Sequence, residues 1–162
     1  RLSDAALDHI KTVKASMLGI IALLLGFTFS QALARYDARS AAVIDEANAI
    51  GTAVLRADLI DELVRDKARI TLREYVTLRA EAASLPVRST ERMELALAAE
   101  KQQTRLWEIS QEVATADRGP ITSLYVQSIN EAIDSYGRRK AEIVRHVPQL
   151  VYVLLISYLL LA

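Results

Sequence analysis

The chain has 162 residues, of which 52% are hydrophobic, and it contains only five glycines and three prolines. So few turn-forming residues argue against a many-stranded β protein and favour an all-α fold. The 20 basic and 20 acidic side chains cancel, so the chain lacks the net positive charge typical of nucleic-acid-binding proteins, and we expect no nucleic-acid partner. Without cysteine, the sequence also excludes disulfides, zinc ribbons and thiol nucleophiles.

The first predicted element is a transmembrane helix over residues 15–34, which follows an N-terminal flank of residues 1–14. No charged side chain interrupts this stretch, and as a helix it extends about 30 Å, the thickness of a bilayer core. A secretory signal peptide is the alternative, because Lys11 and Lys14 precede the apolar run and Ala32-Leu33-Ala34 imitates a cleavage site. We favour a membrane span because the run exceeds the length of a signal core and no turn residue follows it.

Residues 35–146 are predicted to form a hydrophilic, antiparallel helical bundle. Pro86, Gly119-Pro120 and a weaker break near Asp58 divide this region, and three breaks predict four helices. The first helix should continue from the span through Ala57, Asp58 should cap a second helix over 59–83, and Pro120 should begin the last helix, over 120–146. The predicted apolar stripes are Leu63, Ile70, Tyr75 and Leu78; Leu106, Trp107, Ile109 and Val113; and Ile121, Leu124, Tyr125, Ser128, Ile129, Ala132, Ile133 and Tyr136.

A second transmembrane helix is predicted over residues 147–162, after a bend near Pro148. This stretch is uncharged and still rich in leucine where the sequence stops, and it is shorter than a full span. We interpret it as a truncated span. Together with the start at Arg1, it indicates part of a longer membrane protein in which long transmembrane helices continue into the bundle.

Basic residues near the spans predict the orientation of the bundle. Six lie on the bundle side and three on the N-terminal side, so the positive-inside rule favours a cytoplasmic bundle. The two sets are Arg35, Arg39, Arg138, Arg139, Lys140 and Arg145, and Arg1, Lys11 and Lys14. Four of the first set, Arg138, Arg139, Lys140 and Arg145, are also candidates for contact with anionic lipid headgroups of the bilayer.

Two rows of residues within the first span could mediate assembly. Gly19, Leu23 and Phe27 recur every fourth residue and could line a hydrophobic constriction if several copies surround an axis. A neighbouring row of small residues, Ala22, Gly26, Ser30 and Ala34, would allow close helix packing, either within one protomer or between subunits. The alternative for the first row is simple exposure to lipid.

A polar cluster follows the exit from the membrane. Its members could form salt bridges that fix the angle between helices, or they could line a vestibule and set ion preference. Asp45, Asn48 and Arg56 of this cluster form a polar row at helical spacing together with Thr52. The cluster comprises Arg35, Tyr36, Asp37, Arg39, Asp45, Glu46, Asn48 and Arg56.

Residues for enzyme chemistry are scarce. The two histidines, His9 and His146, are far apart in sequence, and neither shows metal-ligand spacing. No glycine-rich phosphate loop, nucleophile elbow or acid/base pair is recognisable. We therefore predict a protein that is not an enzyme and that has no metal or other cofactor.

Several of these motifs resemble a known family. Gly-Phe-Thr-Phe-Ser at 26–30, Arg-Tyr-Asp-Ala-Arg at 35–39 and Glu-Ala-Asn-Ala-Ile-Gly-Thr at 46–52 recur in this order in bacterial bestrophin-like membrane proteins of uncharacterised function. The resemblance covers nearly the whole chain. Tyr36-Asp37 with Arg39 is similar, more distantly, to a motif of true bestrophin anion channels, although Ala38 replaces the aromatic residues that follow there.

The resemblance implies a homo-oligomer in the bacterial inner membrane that acts as an anion channel or as a membrane scaffold without conductance. A sensor is the alternative, because span, helical bundle and span is also the plan of bacterial receptors. A receptor would place the bundle outside the cytoplasm, so the two hypotheses require opposite orientations.

Overall fold

The computed structural model describes residues 3–145 and 149–161, and every regular element among them is an α-helix. The elements are α1 (Asp4–Ala57), α2 (Glu62–Ser84), α3 (Thr90–Ala116), α4 (Pro120–Val144) and α5 (Gln149–Leu161). The all-α prediction is confirmed. The three predicted breaks separate the four long helices, and α4 begins at Pro120, whose missing N–H suits the first turn of a helix.

Helix α1 is 54 residues long and runs without interruption through the predicted cleavage site at 32–34. It is the one helix in the described chain that is long and apolar enough to cross a membrane, and its most apolar window is not buried by protein. Helix α5 is apolar but has only 13 residues, fewer than the roughly 20 that a span requires. The predicted bend at Pro148 lies outside the described residues, as does His146 at the predicted end of the last helix.

The chain forms two compact units. One contains residues 1–40 and 141–162, and the other contains residues 41–140. In the first unit, the Arg39 guanidinium donates hydrogen bonds to the backbone carbonyls of Glu142 and Arg145, both at 3.2 Å. A cation at the C-terminal end of α4 satisfies carbonyls that have no partner within the helix and complements the negative end of its dipole.

The second unit is a four-helix bundle whose neighbouring helices are antiparallel. Residues near the start of α2 contact residues near the end of α3: Lys67 bonds Glu112 at 3.0 Å, whereas Gln103 bonds Tyr75 further along at 3.2 Å. The same reversed order relates the other neighbours. Two contacts for each pair of neighbours show this order. They are Glu46–Arg139 and Arg56–Leu124 for α1 and α4, Glu46–Arg79 and Asp58–Arg69 for α1 and α2, and Glu100–Lys140 and Asp117–Thr122 for α3 and α4.

The bundle core combines small and large apolar side chains. Alanines at positions 53, 57, 68 and 99 are fully buried and let the helices approach closely, while Leu72, Leu106 and Ile129 fill the space between them. The predicted stripes are confirmed where the side chains are buried, at Tyr75, Leu106, Ile109, Val113, Tyr125, Ser128, Ile129, Ala132 and Tyr136. Leu78 and Ile133 are partly buried against the core. The predicted stripes are wrong at Leu63, Ile70, Trp107, Ile121 and Leu124, which are exposed.

The start of α2 differs from the prediction. Asp61, rather than Asp58, is the N-cap, and its carboxylate accepts a hydrogen bond from the Leu63 backbone N–H at 3.0 Å. Asp58 instead pairs with Arg69 at 2.6 Å. A short turn over 58–61 therefore separates α1 from α2. Asp61 is the cap because its carboxylate is closer to α2 and satisfies one of the first free N–H groups of that helix.

Candidate functional site

The centre of the bundle contains a buried carboxylate, Glu46, on α1. Its side chain is 2% exposed. Arg79 of α2 binds both carboxylate oxygens, Nε to Oε1 at 2.7 Å and Nη2 to Oε2 at 3.1 Å. Arg139 of α4 donates from Nη1 to Oε2 at 2.5 Å, and the Tyr75 hydroxyl donates to Oε1 at 3.1 Å. Glu46 therefore forms salt bridges between helices, but with Arg79 and Arg139 rather than with another member of the predicted polar cluster.

The network around Glu46 reaches all four helices of the bundle. The Gln103 amide on α3 donates to the Tyr75 hydroxyl at 3.2 Å, which completes the ring of helices. Arg79 and Arg139 are themselves largely buried, with 13% and 14% of their side chains exposed. We call Glu46, Tyr75, Arg79, Gln103 and Arg139 the Glu46 network. Because charged groups this deep must be paired, the network restricts how the four helices can pack.

A second polar cluster adjoins the Glu46 network through Arg79. The Arg79 guanidinium carbon lies 4.5 Å from the centre of the Tyr136 ring, within cation–π range. The Tyr136 hydroxyl donates to Glu100 at 2.9 Å, and the Lys140 ammonium donates to the same carboxylate oxygen at 2.8 Å. α2, α3 and α4 are therefore linked a second time.

The Glu46 network holds its carboxylate ionised. Burial alone would raise the pKa of Glu46, but hydrogen bonds and positive charge from Arg79 and Arg139 outweigh it and lower that pKa below 4.5. The pKa of Arg79 is raised, because Glu46 more than offsets the effect of burial. Burial, together with the negative charge of Glu46, raises the pKa of Tyr75. Burial and the Glu100 hydrogen bond raise the pKa of Tyr136 to about 12, so both phenols stay protonated at neutral pH.

Acidification should weaken the bundle through Glu46. Since the folded-state pKa of Glu46 lies below its ordinary value of 4.5, its ionised form stabilises the bundle above that pH. This contribution is lost as the pH falls below 4.5 and through the folded-state pKa. We expect the urea midpoint of the wild-type bundle to fall during an acid titration, and to fall less steeply in Glu46→Gln.

Glu100 also has a lowered pKa, because of Lys140 and Tyr136, and it contributes to the acid sensitivity of both proteins. The difference between wild type and Glu46→Gln therefore isolates the contribution of Glu46. Equal acid sensitivity in wild type and Glu46→Gln would contradict the assignment.

The predicted polar row on α1 faces α4 across a cleft of about 460 Å³. Asp45, Asn48, Thr52 and Arg56 form one wall, as the spacing predicts. Arg56 donates to the Leu124 carbonyl at 2.8 Å. The opposite wall is provided by Gln127, Ser128, Glu131 and Arg138. Two carboxylates and two guanidinium groups leave this cleft without net charge, and Arg138 is paired with Glu131.

The membrane-exit cluster is divided between the two units. Glu46 is in the bundle core, while Asp45, Asn48 and Arg56 line the cleft. In the other unit Arg39 binds the end of α4, and no described residue forms an ion pair with Arg35 or Asp37. Tyr36 is 71% exposed. A vestibule lined by Arg35, Tyr36 and Asp37 stays a prediction.

The four candidate headgroup contacts are placed differently from one another. Arg139 is paired with Glu46 inside the bundle, because a buried carboxylate attracts it more strongly than solvent does. The predicted contact of Arg139 with a lipid headgroup is therefore corrected. Arg138, Lys140 and Arg145 are exposed and form ion pairs with Glu131, Glu100 and Glu142. Their contact with lipid stays a prediction.

The candidate pore residues lie on the uncovered part of α1. Leu23 is 60% exposed and Phe27 is 59% exposed, and a Cβ added at Gly19 would meet no atom within 4 Å. These side chains are free to contact lipid or another copy of the chain. A role in lining a pore stays a prediction.

The sequence pattern marks Glu46 and Arg139 as candidate site residues and places Tyr75 in an apolar stripe, but it does not predict that they meet. It does not distinguish Arg79 or Gln103 from other polar side chains. A usable signal was present, since Tyr75 and Arg79 are four residues apart and therefore share a face of α2. What the spacing could not show is that this face meets Glu46.

Metal binding receives no support from the part of the chain that the structure describes. It contains no group of three or more His, Asp or Glu side chains that could hold a metal ion. His9 is exposed on α1, and His146 lies outside the described range.

Comparison with known proteins identifies no relative. No protein-family model, curated protein or solved structure matches the chain. The resemblance to bestrophin-like proteins therefore stays a prediction.

Proposed function

We propose that this chain is the subunit of an oligomeric integral membrane protein of the bestrophin-like type, anchored by α1, that provides a path for anions. One observation carries the proposal: the most apolar window of α1 is long enough to cross a bilayer and is not covered by protein. An apolar surface of this size needs lipid or other subunits to keep it from water.

Assembly around an axis is supported by the arrangement of side chains on α1. Gly19, Leu23 and Phe27 share one face, and the small residues Ala22 and Gly26 lie beside them. In lipid, small residues allow backbones to approach closely, so copies of α1 can pack while the larger side chains form rings.

Preference for anions is supported by the charge of the Glu46 network. Two guanidinium groups face one carboxylate, which leaves an excess positive charge that is only slightly exposed. Fixed positive charge at low exposure attracts anions more strongly than the same charge in open solvent, because water screens it less. The proposed inner-membrane location with a cytoplasmic bundle follows from the basic residues that flank the spans.

The proposal is tested with the intact protein in detergent and in liposomes. We expect a defined oligomeric mass and a chloride flux that changes when Phe27 is replaced by Ala. Phe29→Ala is the matched control, because Phe29 is 72% exposed and lies off the Gly19–Leu23–Phe27 row. A monomer, or absence of flux across an anion gradient, would contradict the channel proposal. An oligomer without flux would leave only a membrane scaffold.

Orientation can be measured with single cysteines, since the chain has none of its own. Arg88 and Arg118 are exposed in the loops at opposite ends of the bundle, and Asp8 is exposed on the N-terminal side of the span. With a cytoplasmic bundle, we expect an impermeant thiol reagent applied to intact cells to label Asp8→Cys and to spare Arg88→Cys and Arg118→Cys.

The reverse labelling pattern would favour the sensor. The observation in favour of a sensor is the polar cleft between α1 and α4, whose volume of about 460 Å³ falls in the range of small-molecule sites. In that case the cleft would bind a polar ligand outside the cytoplasm, and the span would transmit the signal.

A further inference from the structure

A second groove in the bundle lies between α1 and α2 and has a volume of about 470 Å³. Its walls are mostly small and apolar, and its remaining lining is formed by the charged groups Glu46, Arg79 and Arg139 of the Glu46 network. The apolar lining consists of Val43, Ala47, Ile50, Gly51, Val76, Ala80 and Ala83. Its volume lies within the range of about 300–1,000 Å³ that small-molecule sites occupy.

The charge in this groove is unbalanced. Glu46 contributes one negative charge, whereas Arg79 and Arg139 each contribute one positive charge, so the net charge is that of one cation. A monoanion would neutralise it. A carboxylate is the monoanion whose two oxygens match the planar fork of a guanidinium group.

The two guanidinium groups also have hydrogen-bond donors to spare. Arg79 uses Nε and Nη2 on Glu46, and Arg139 uses Nη1. Each guanidinium carries five N–H groups, and no acceptor among the described residues takes the others. The charged part of the groove can therefore donate to a further acceptor without breaking the existing ion pairs.

Space is available along the apolar part of the groove. Gly51 is exposed, and a Cβ built there would meet no atom within 4 Å. Val43 and Val76 are 43% and 41% exposed, so apolar surface from both helices faces the groove without a covering side chain. A flexible hydrocarbon chain would bury this surface, at roughly 25 cal/mol for each Å² removed from water.

We propose that the α1–α2 groove binds a long-chain fatty acid. The carboxylate is held by Arg79 and Arg139, and the hydrocarbon chain lies along Ile50, Gly51 and Val76. This site uses Arg79 and Arg139, whose charge also supports the proposed preference for anions, but binding is measured by crosslinking rather than by flux. It can therefore be tested whether or not the protein conducts ions.

The test uses a photoreactive palmitate analogue with the full-length protein in nanodiscs. We expect crosslinks within residues 40–56 and 74–88, which carry the groove. Excess palmitate should compete, whereas hexadecanol and hexadecyltrimethylammonium, which have the same chain without a negative charge, should not. Competition by all three would show general apolar adsorption and would overturn the proposal.

Two matched glycine substitutions separate the groove from the rest of the bundle. Gly51→Leu fills the groove without touching the ion pairs, and we expect at least a tenfold loss of crosslinking. Gly137→Leu introduces the same side chain at another exposed helical glycine with open space, outside the groove, and should leave crosslinking unchanged. Equal labelling of wild type and Gly51→Leu would overturn the proposal.

Other results would also exclude a fatty acid. Crosslinks confined to residues 15–34 would indicate ordinary contact with the bilayer, and stronger competition by phosphatidate would indicate a phospholipid. A change of oligomeric mass in Gly51→Leu without loss of labelling would indicate that a second copy of the chain covers the groove. Arg139→Gln should weaken labelling, and its circular dichroism spectrum would report whether the helices persist.

Discussion

Replacing Glu46 by Gln should lower the free energy of unfolding of the bundle by about 3–5 kcal/mol. The substitution keeps the shape of the side chain and removes its charge, which leaves the guanidinium groups of Arg79 and Arg139 largely buried without a counter-ion. Urea unfolding in mild detergent can be followed by the fluorescence of Trp107, the only tryptophan of the chain, which lies on α3 within the bundle.

The neighbouring substitution Asp45→Asn is the control for Glu46→Gln. Asp45 is exposed and forms no ion pair with any described residue, so we expect its effect to stay within about 0.5 kcal/mol. A double-mutant cycle with Arg139→Gln should show coupling between Glu46 and Arg139. If Glu46→Gln is as stable as Asp45→Asn, the Glu46 network does not hold the helices together.

Replacing Leu72 by Ala should destabilise the bundle by about 2–5 kcal/mol. Leu72 is completely buried on α2, in the core that also contains Leu106 and Ile129, so its removal leaves a cavity among side chains that cannot fully close over it. The same urea titration gives the loss of stability.

The control for Leu72→Ala is Leu63→Ala on the same helix. Leu63 is 79% exposed, although its position in an apolar stripe predicts burial, and its truncation should cost far less than that of Leu72. Equal losses of stability at the two positions would show that Leu63 is buried in the folded protein. They would contradict the packing of α2 through the face that carries Leu72.

The sequence allowed the helices to be predicted because turn residues are rare and informative. Pro86 and Gly119-Pro120 fall between helices, and α1 continues past the apolar stretch because no turn residue interrupts it before Asp58. The limits of α2 were less predictable, since both Asp58 and Asp61 can cap a helix and only local geometry selects Asp61.

The candidate site was only partly predictable. Spacing placed Asp45, Asn48 and Arg56 on one face of α1, and the structure shows that face lining a cleft. The partners of Glu46 could not be predicted, because Arg79 and Arg139 are 33 and 93 residues away in sequence. Such pairs depend on the order in which helices pack, and that order does not follow from the periodicity of any single helix.

Extraction of membranes with alkaline carbonate tests the central claim, that lipid surrounds the apolar stretch of α1, most directly. We predict that the full-length protein stays with the membrane pellet after the wash and leaves it only with detergent. Release into the carbonate supernatant as a monodisperse, detergent-free protein would contradict this claim.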